Sequence, residues 1–159
     1  MKRHFPLRKT LLAVALGLSA ALPVHAQTTV KIGVLADMGG LYSDIGGAGA
    51  IEATKMAIED YKAIDPKLKV ELVSADAQNK PDVSSALVRR WYDTESVDAI
   101  VDLPTSAVAL AVNTISVEKN KVSLVTAAAS SDISGKACNP NTVHWTYDTW
   151  ALSHGTAAA

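Results

Sequence analysis

Apolar positions along the chain switch between two rhythms. Residues 30–36 form a short, nearly unbroken apolar run carrying Ile32, Val34 and Leu35, which predicts a buried strand. Over 48–62 the period lengthens: Ala50, Ala53, Ala57 and Tyr61 recur at spacings of three and four, which places them on one face of a helix. Asp65-Pro66 ends that helix. A second strand is predicted over 69–74. Pro81-Asp82 then opens a helix that runs to Thr94, with Val83, Leu87 and Trp91 one turn apart. A third strand over 97–103 leads into a helix over 106–119 that turns Val108, Val112 and Ile115 inward. Strands over 122–126 and 141–146 follow, and another helical segment begins near Ala151. Strands this apolar, alternating with helices, predict an α/β fold: a doubly wound parallel sheet covered on both faces. Ligands of such sheets bind outside the carboxyl ends of the strands. The segments to inspect are therefore 37–47, 104–107, 126–131 and 147–150.

The first 26 residues do not belong to this pattern. Lys2, Arg3, Arg8 and Lys9 form a basic start, residues 11–22 an apolar run, and Val24-His25-Ala26 a small-residue cleavage site. These are the parts of a secretory signal peptide cut after Ala26. About a dozen apolar residues are too few for a membrane span, which needs roughly twenty. Arg3 and Arg8 form no twin-arginine pair, and Gln27 offers no cysteine for lipid attachment. The expected product is exported to the periplasm without direct membrane insertion after signal cleavage. Its 159 residues suit about one domain. A net charge of -1 gives no basic surplus for nucleic acid. Cys138, the single cysteine, is either buried and inert or paired with sequence beyond this stretch.

The predicted strand ends carry hydroxyls. Pro104-Thr105-Ser106 leads straight into a helix, and 126–131 reads Thr-Ala-Ala-Ala-Ser-Ser. Hydroxyls and free N–H groups at a helix start suit a carboxylate or other anion, although Thr105 or Ser106 could equally serve as an N-cap. Tyr42 and Ser43 sit on the first loop, either exposed or facing a ligand. Asp37 suits a ligand contact or a bond to its own loop's backbone. For Trp145, Tyr147 and Trp150, core packing is the default. Catalytic signatures are missing: there is no G-x-S-x-G, no Walker A sequence, and Gly47-Ala48-Gly49-Ala50-Ile51-Glu52 lacks the third glycine of a dinucleotide fingerprint. His144 and Cys138 show no metal-ligand spacing, so a structural histidine is expected. Neither a cofactor nor a metal is implied.

One ordered set of segments carries a family resemblance. VKIGVLADMGGLYSDIGGAGAIEATKMAIEDY is followed by VDAIVDLPTSAVALAV, VSLVTAAASSDISG and TVHWTYDTWAL. This order resembles the periplasmic branched-chain amino-acid (leucine/isoleucine/valine) binding proteins of ABC importers, over essentially the whole chain after the leader. The resemblance implies a type I periplasmic binding fold, a clamp of two α/β lobes. Relatives run to more than twice this length, so residues 27–147 are expected to form part of the N-terminal lobe, and 148–159 the crossover and the cut-short start of the second.

By position, the resemblance assigns Thr105, Ser106, Ala128 and Ser130 to the ligand carboxylate, with Tyr42 and Tyr147 as further ligand contacts. Ile45 stands where classical branched-chain binders have an aromatic residue. His144-Trp145-Thr146 replaces a common aromatic-Arg-Thr, and Trp150 falls near a common acid. The implied solute is thus an amino acid, an aromatic acid, an amide or urea, and the implied partner is the membrane permease of an ABC importer. The implied protein is not an enzyme. The competing readings are a ligand-sensing receptor on the same fold and an exported α/β enzyme.

Overall fold

The structure, a computed structural model, describes residues 28–159. The leader over 1–26 lies outside the described residues. Five strands, β1 (Thr29–Ala36), β2 (Lys69–Asp76), β3 (Ala99–Asp102), β4 (Val122–Val125) and β5 (Thr142–His144), form one parallel sheet in the order β2-β1-β3-β4-β5. The helices are α1 (Ser43–Gly46), α2 (Ala48–Ile64), α3 (Pro81–Thr94), α4 (Ser106–Lys119) and α5 (Thr149–Ala158). The pattern thus located every strand and long helix. It missed the single turn of α1, which is too short to show a period, and it drew β3, β4 and β5 too long.

The helix ends follow local rules. Pro81 starts α3, where its missing N–H costs nothing. Asp65 is extended and ends α2 ahead of Pro66. Asn120 adopts the left-handed conformation that closes α4.

The chain leaves β1 for β2 on one side of the sheet and returns past β1 to β3 on the other. Right-handed crossovers therefore put α2 on one face and α3 and α4 on the opposite face. The core lies under α3 and α4, where Val88, Trp91, Val108, Val112 and Ile115 are buried. Gly33 of β1 lets Trp91 lie flat on the sheet, because a Cβ there would stand 2.8 Å from the indole. The buried stripe of α3 runs through Ser84, Val88, Trp91 and Tyr92. It is rotated from the expected Val83-Leu87-Trp91 line, and Leu87 only flanks it. Tyr92 reaches between elements: its hydroxyl donates to the Val122 carbonyl at 3.1 Å and lies 3.1 Å from Ser116 Oγ. Burial pushes the pKa of that hydroxyl up to about 12.

Candidate functional site

The strand order reverses between β1 and β3, and a crevice opens at such a switch point. A cavity of about 190 Å³ occupies it. The loop after β1 contributes Tyr42, Ile45 and Gly46, and the turn after β3 contributes Pro104, Thr105 and Ser106. Ala127, Ala128 and Ala129 follow β4, and Tyr147 follows β5.

The first loop is braced from within. Asp37 is fully buried, and its carboxylate accepts from the Gly40 and Tyr42 amides at 3.0 Å each. Of its two possible uses, Asp37 serves its own loop. A Cβ on Gly40 would run into that carboxylate, and one on Gly47 into the Ser43 carbonyl. The glycines thus allow the loop to fold back on itself, with Tyr42 and Ile45 left at the cavity wall.

Thr105 holds the N-cap position of α4 with extended backbone, yet its hydroxyl makes no cap bond. Thr105 lines the cavity, and its Oγ1 is buried without a hydrogen-bond partner among the described residues. Such an atom normally has a partner. Ser106 Oγ accepts from the Ser130 amide at 3.2 Å, so its own proton is free to donate. Ser130 does not line the cavity. Its amide is committed to Ser106, and its hydroxyl accepts from the Asp132 amide at 3.2 Å. Of the residues singled out by sequence, Tyr42, Thr105, Ser106, Ala128 and Tyr147 share the cavity, and Ser130 stands behind Ser106.

The aromatic cluster does not pack in the core. Trp145, Tyr147 and Trp150 are 74%, 54% and 62% exposed. They follow a short edge strand, where no layer covers them; Trp150 stacks on His154 with ring centroids 4.0 Å apart. Cys138 is exposed as well, which removes the buried-thiol alternative.

Two residues support the site: His144, expected from the sequence to be structural, and Asp102, which the sequence reading did not single out. His144 Nε2 lies 2.8 Å from the Ala128 carbonyl and Nδ1 3.5 Å from Ser134 Oγ. As the Nε2–H tautomer, it donates to Ala128 and fixes the wall over 127–129. Asp102 ends β3, 4% exposed, with Oδ2 unpartnered. Burial alone pushes its carboxyl up to about 7. Its one signal in the sequence was an acid closing the apolar run Ala99-Ile100-Val101. Among the described residues, no group of His, Cys, Asp and Glu could hold a metal, and no helix is long and apolar enough to cross a membrane.

Residues 29–159 match the family model described as periplasmic binding protein. The chain belongs to the periplasmic binding protein family. Among solved structures, it is similar to a periplasmic binding protein from Burkholderia mallei, with 40% identity over 84% of this chain and 36% of that one, at a TM-score of 0.76. A branched chain amino acid ABC transporter periplasmic ligand-binding protein from Burkholderia xenovorans LB400 shares 37% identity over 81% of this chain and 36% of that one, with a TM-score of 0.72. A solute binding protein of an ABC transporter from R. palustris, in complex with 4-hydroxybenzoate, shares 27% identity over 80% and 36% of the two chains, with a TM-score of 0.61. The chain thus spans about a third of the length of the periplasmic binding proteins it matches. No curated protein matches it.

Proposed function

We propose that the protein is the extracytoplasmic solute-binding component of an ABC importer, capturing a small carboxylate or amide in the cleft at the strand ends. Amino acids and aromatic acids are the first candidates. The observation that carries this reading is Thr105, a residue of the cavity wall whose buried hydroxyl has no partner among the described residues. Beside it stand the free proton of Ser106 and the N-terminus of a 14-residue helix. Donors and a helix start in one place suit an anion. A solute carboxylate accepts from Thr105 and Ser106, Ala128 and its neighbours form the opposite wall, and Tyr42 and Tyr147 pack over the apolar part. Ser130 acts through Ser106.

In this reading the leader over 1–26 delivers the chain to the periplasm, where a membrane permease receives the solute. Residues 27–147 are the first wall of a two-lobed clamp, and 148–159 lead toward the second. The R. palustris relative was solved with 4-hydroxybenzoate, which makes an aromatic acid a natural first probe.

Calorimetric titration of the full-length protein with branched-chain amino acids, 4-hydroxybenzoate and small amides tests the reading. Thr105→Val and Ser106→Ala each remove a donor to a charged group, worth roughly 1.5–3 kcal/mol, about ten- to hundredfold in affinity. Unaltered solute recovered after incubation is the expected companion result. Affinities unchanged in both variants would remove the anion site from this cleft.

A further inference from the structure

The cleft has a feature that holding an anion does not require. Directly beneath its floor lies a carboxyl group without a counter-charge. Gly46 lines the cavity, and a Cβ on Gly46 would stand 3.3 Å from Asp102 Oδ2. The acid thus packs against a residue of the cavity wall, while it also borders the apolar groove between α2 and the sheet. Three residues further along the chain, Thr105 lines the same cavity. The backbone between them is held in an unfavourable form: Asp102 and Leu103 have φ of 80° and 64°. Non-glycine residues rarely enter that region, and such outliers gather at functional sites. Main-chain bonds fix the turn on both sides, from the Leu103 amide to the Leu35 carbonyl at 3.2 Å and from the Thr126 amide to the Asp102 carbonyl at 3.1 Å. The side chain has no comparable anchor at Oδ2.

Among the described residues, no charge nearby stabilises an ionised Asp102. The loop after β1 contributes another buried carboxylate, Asp37. α1 carries Asp44, which is exposed. Along its sheet-facing side, α2 presents Ala50, Ala53, Thr54, Ala57, Ile58 and Tyr61, of which only Tyr61 titrates. β4 leads into Thr126, and the first turn of α4 holds no charge. Burial accordingly leaves the acid half-titrated at about pH 7.

Resting on the solute-binding reading above, we infer that Asp102 couples capture of an anionic solute to uptake of a proton. An anion against Thr105 and Ser106 repels the ionised carboxylate one residue layer below and tolerates the neutral acid. Binding therefore draws protons from solvent onto Asp102, about half a proton per solute at pH 7 and up to one at higher pH below the bound midpoint, and release of the solute returns them. Asp102 is a positioning residue in this scheme, since it does not itself line the cavity. Affinity for an anion is flat at low pH, falls about tenfold per pH unit between the free and bound midpoints of Asp102, and is flat again above. A neutral solute of the same shape shows no such fall.

The test follows the Asp102 carboxyl carbon by NMR in the full-length protein between about pH 6 and 8, with the Thr105 and Ser106 amides reporting occupancy. The probes are 4-hydroxybenzoate and 4-hydroxybenzamide. Expected are a rise of the Asp102 midpoint with the carboxylate and none with the amide, together with an Asp102→Asn variant whose affinity for the carboxylate no longer depends on pH. If the carboxylate perturbs both amides while the Asp102 midpoint stays fixed, proton coupling is wrong and solute binding stands. If neither probe nor any amino acid disturbs those amides, the solute-binding reading falls and the coupling falls with it. An Asp102 midpoint in the ordinary carboxylate range overturns the inference without any ligand.

Discussion

The two faces of the sheet are built to different standards. Under α3 and α4, Trp91, Val88, Val108, Val112 and Ile115 close against β1, β3 and β4 without exposure above 2%. Under α2 no residue of the helix is buried, and an apolar groove of about 590 Å³ separates it from Ile32, Val70, Val101 and Leu124. The cause is side-chain size. α2 turns Ala50, Ala53 and Ala57 toward the sheet, whereas α3 and α4 bring an indole and branched aliphatics. An amphipathic period tells which face a helix presents, and the volumes on that face decide whether the space fills. The lesson extends to stability: the packed face supplies most of the apolar burial and therefore most of the driving force.

The largest effect expected from this contrast is Trp91→Ala, which opens the centre of the packed face. It should cost about 3–5 kcal/mol, read from the midpoint of denaturant unfolding. On the other face, Ile58→Ala should cost under about 1 kcal/mol, since the groove already withholds partners. Equal losses would mean that the groove is filled in solution.

Asp102 lies at the end of that groove, and its pH dependence comes next. The folded chain holds this proton up to about pH 7, against an ordinary carboxylate value near 4. Folding is thus unpenalised below about pH 4, and stability falls as pH rises through about 7, by at most about 4 kcal/mol. Asp102→Asn should abolish the fall, measured as unfolding free energy against pH. Solvent entering the groove would flatten the wild-type curve as well.

Glycine replacements probe the same contrast with opposite signs. Gly33→Ala drives a methyl into Trp91 and the Ile100 Cδ1, 2.8 and 2.9 Å away, and should cost about 1–3 kcal/mol. Gly49→Ala, near the start of α2, meets nothing within 4 Å. It should raise the melting temperature slightly, through a gain of up to about 1 kcal/mol in helix propensity. Two destabilising results would place α2 against the sheet more tightly than the groove allows. A similarly small change concerns His144→Ala, which frees the Ala128 carbonyl from a bond of 2.8 Å. The expected loss is about 1 kcal/mol, measured by thermal melting.

The site was partly legible in advance. A parallel sheet dictates that ligands meet the strand ends, and that rule led to the segments that hold Tyr42, Thr105 and Ser106, while the family resemblance singled out Ala128 and Tyr147. It could not separate wall from support. Ser130 sits in the right loop, but its amide is spent on Ser106. That pairing joins residues 24 positions apart, which no local pattern encodes.

By itself the sequence determined what depends on near neighbours. Apolar period set the strands and helices, Pro81 and Asp65-Pro66 set helix limits, and the alternation of elements set a parallel sheet with its crevice at the strand ends. Tertiary structure alone decided which hydroxyl is left without a partner, which aromatic residues stay in water, and how far burial displaces an acid. Each of these depends on what arrives from elsewhere in the chain. Trp145 is exposed because β5 lies at the sheet edge. The Asp102 carboxyl is pushed up to about 7 because the groups folded around it shield it from water, with no cation beside it among the described residues.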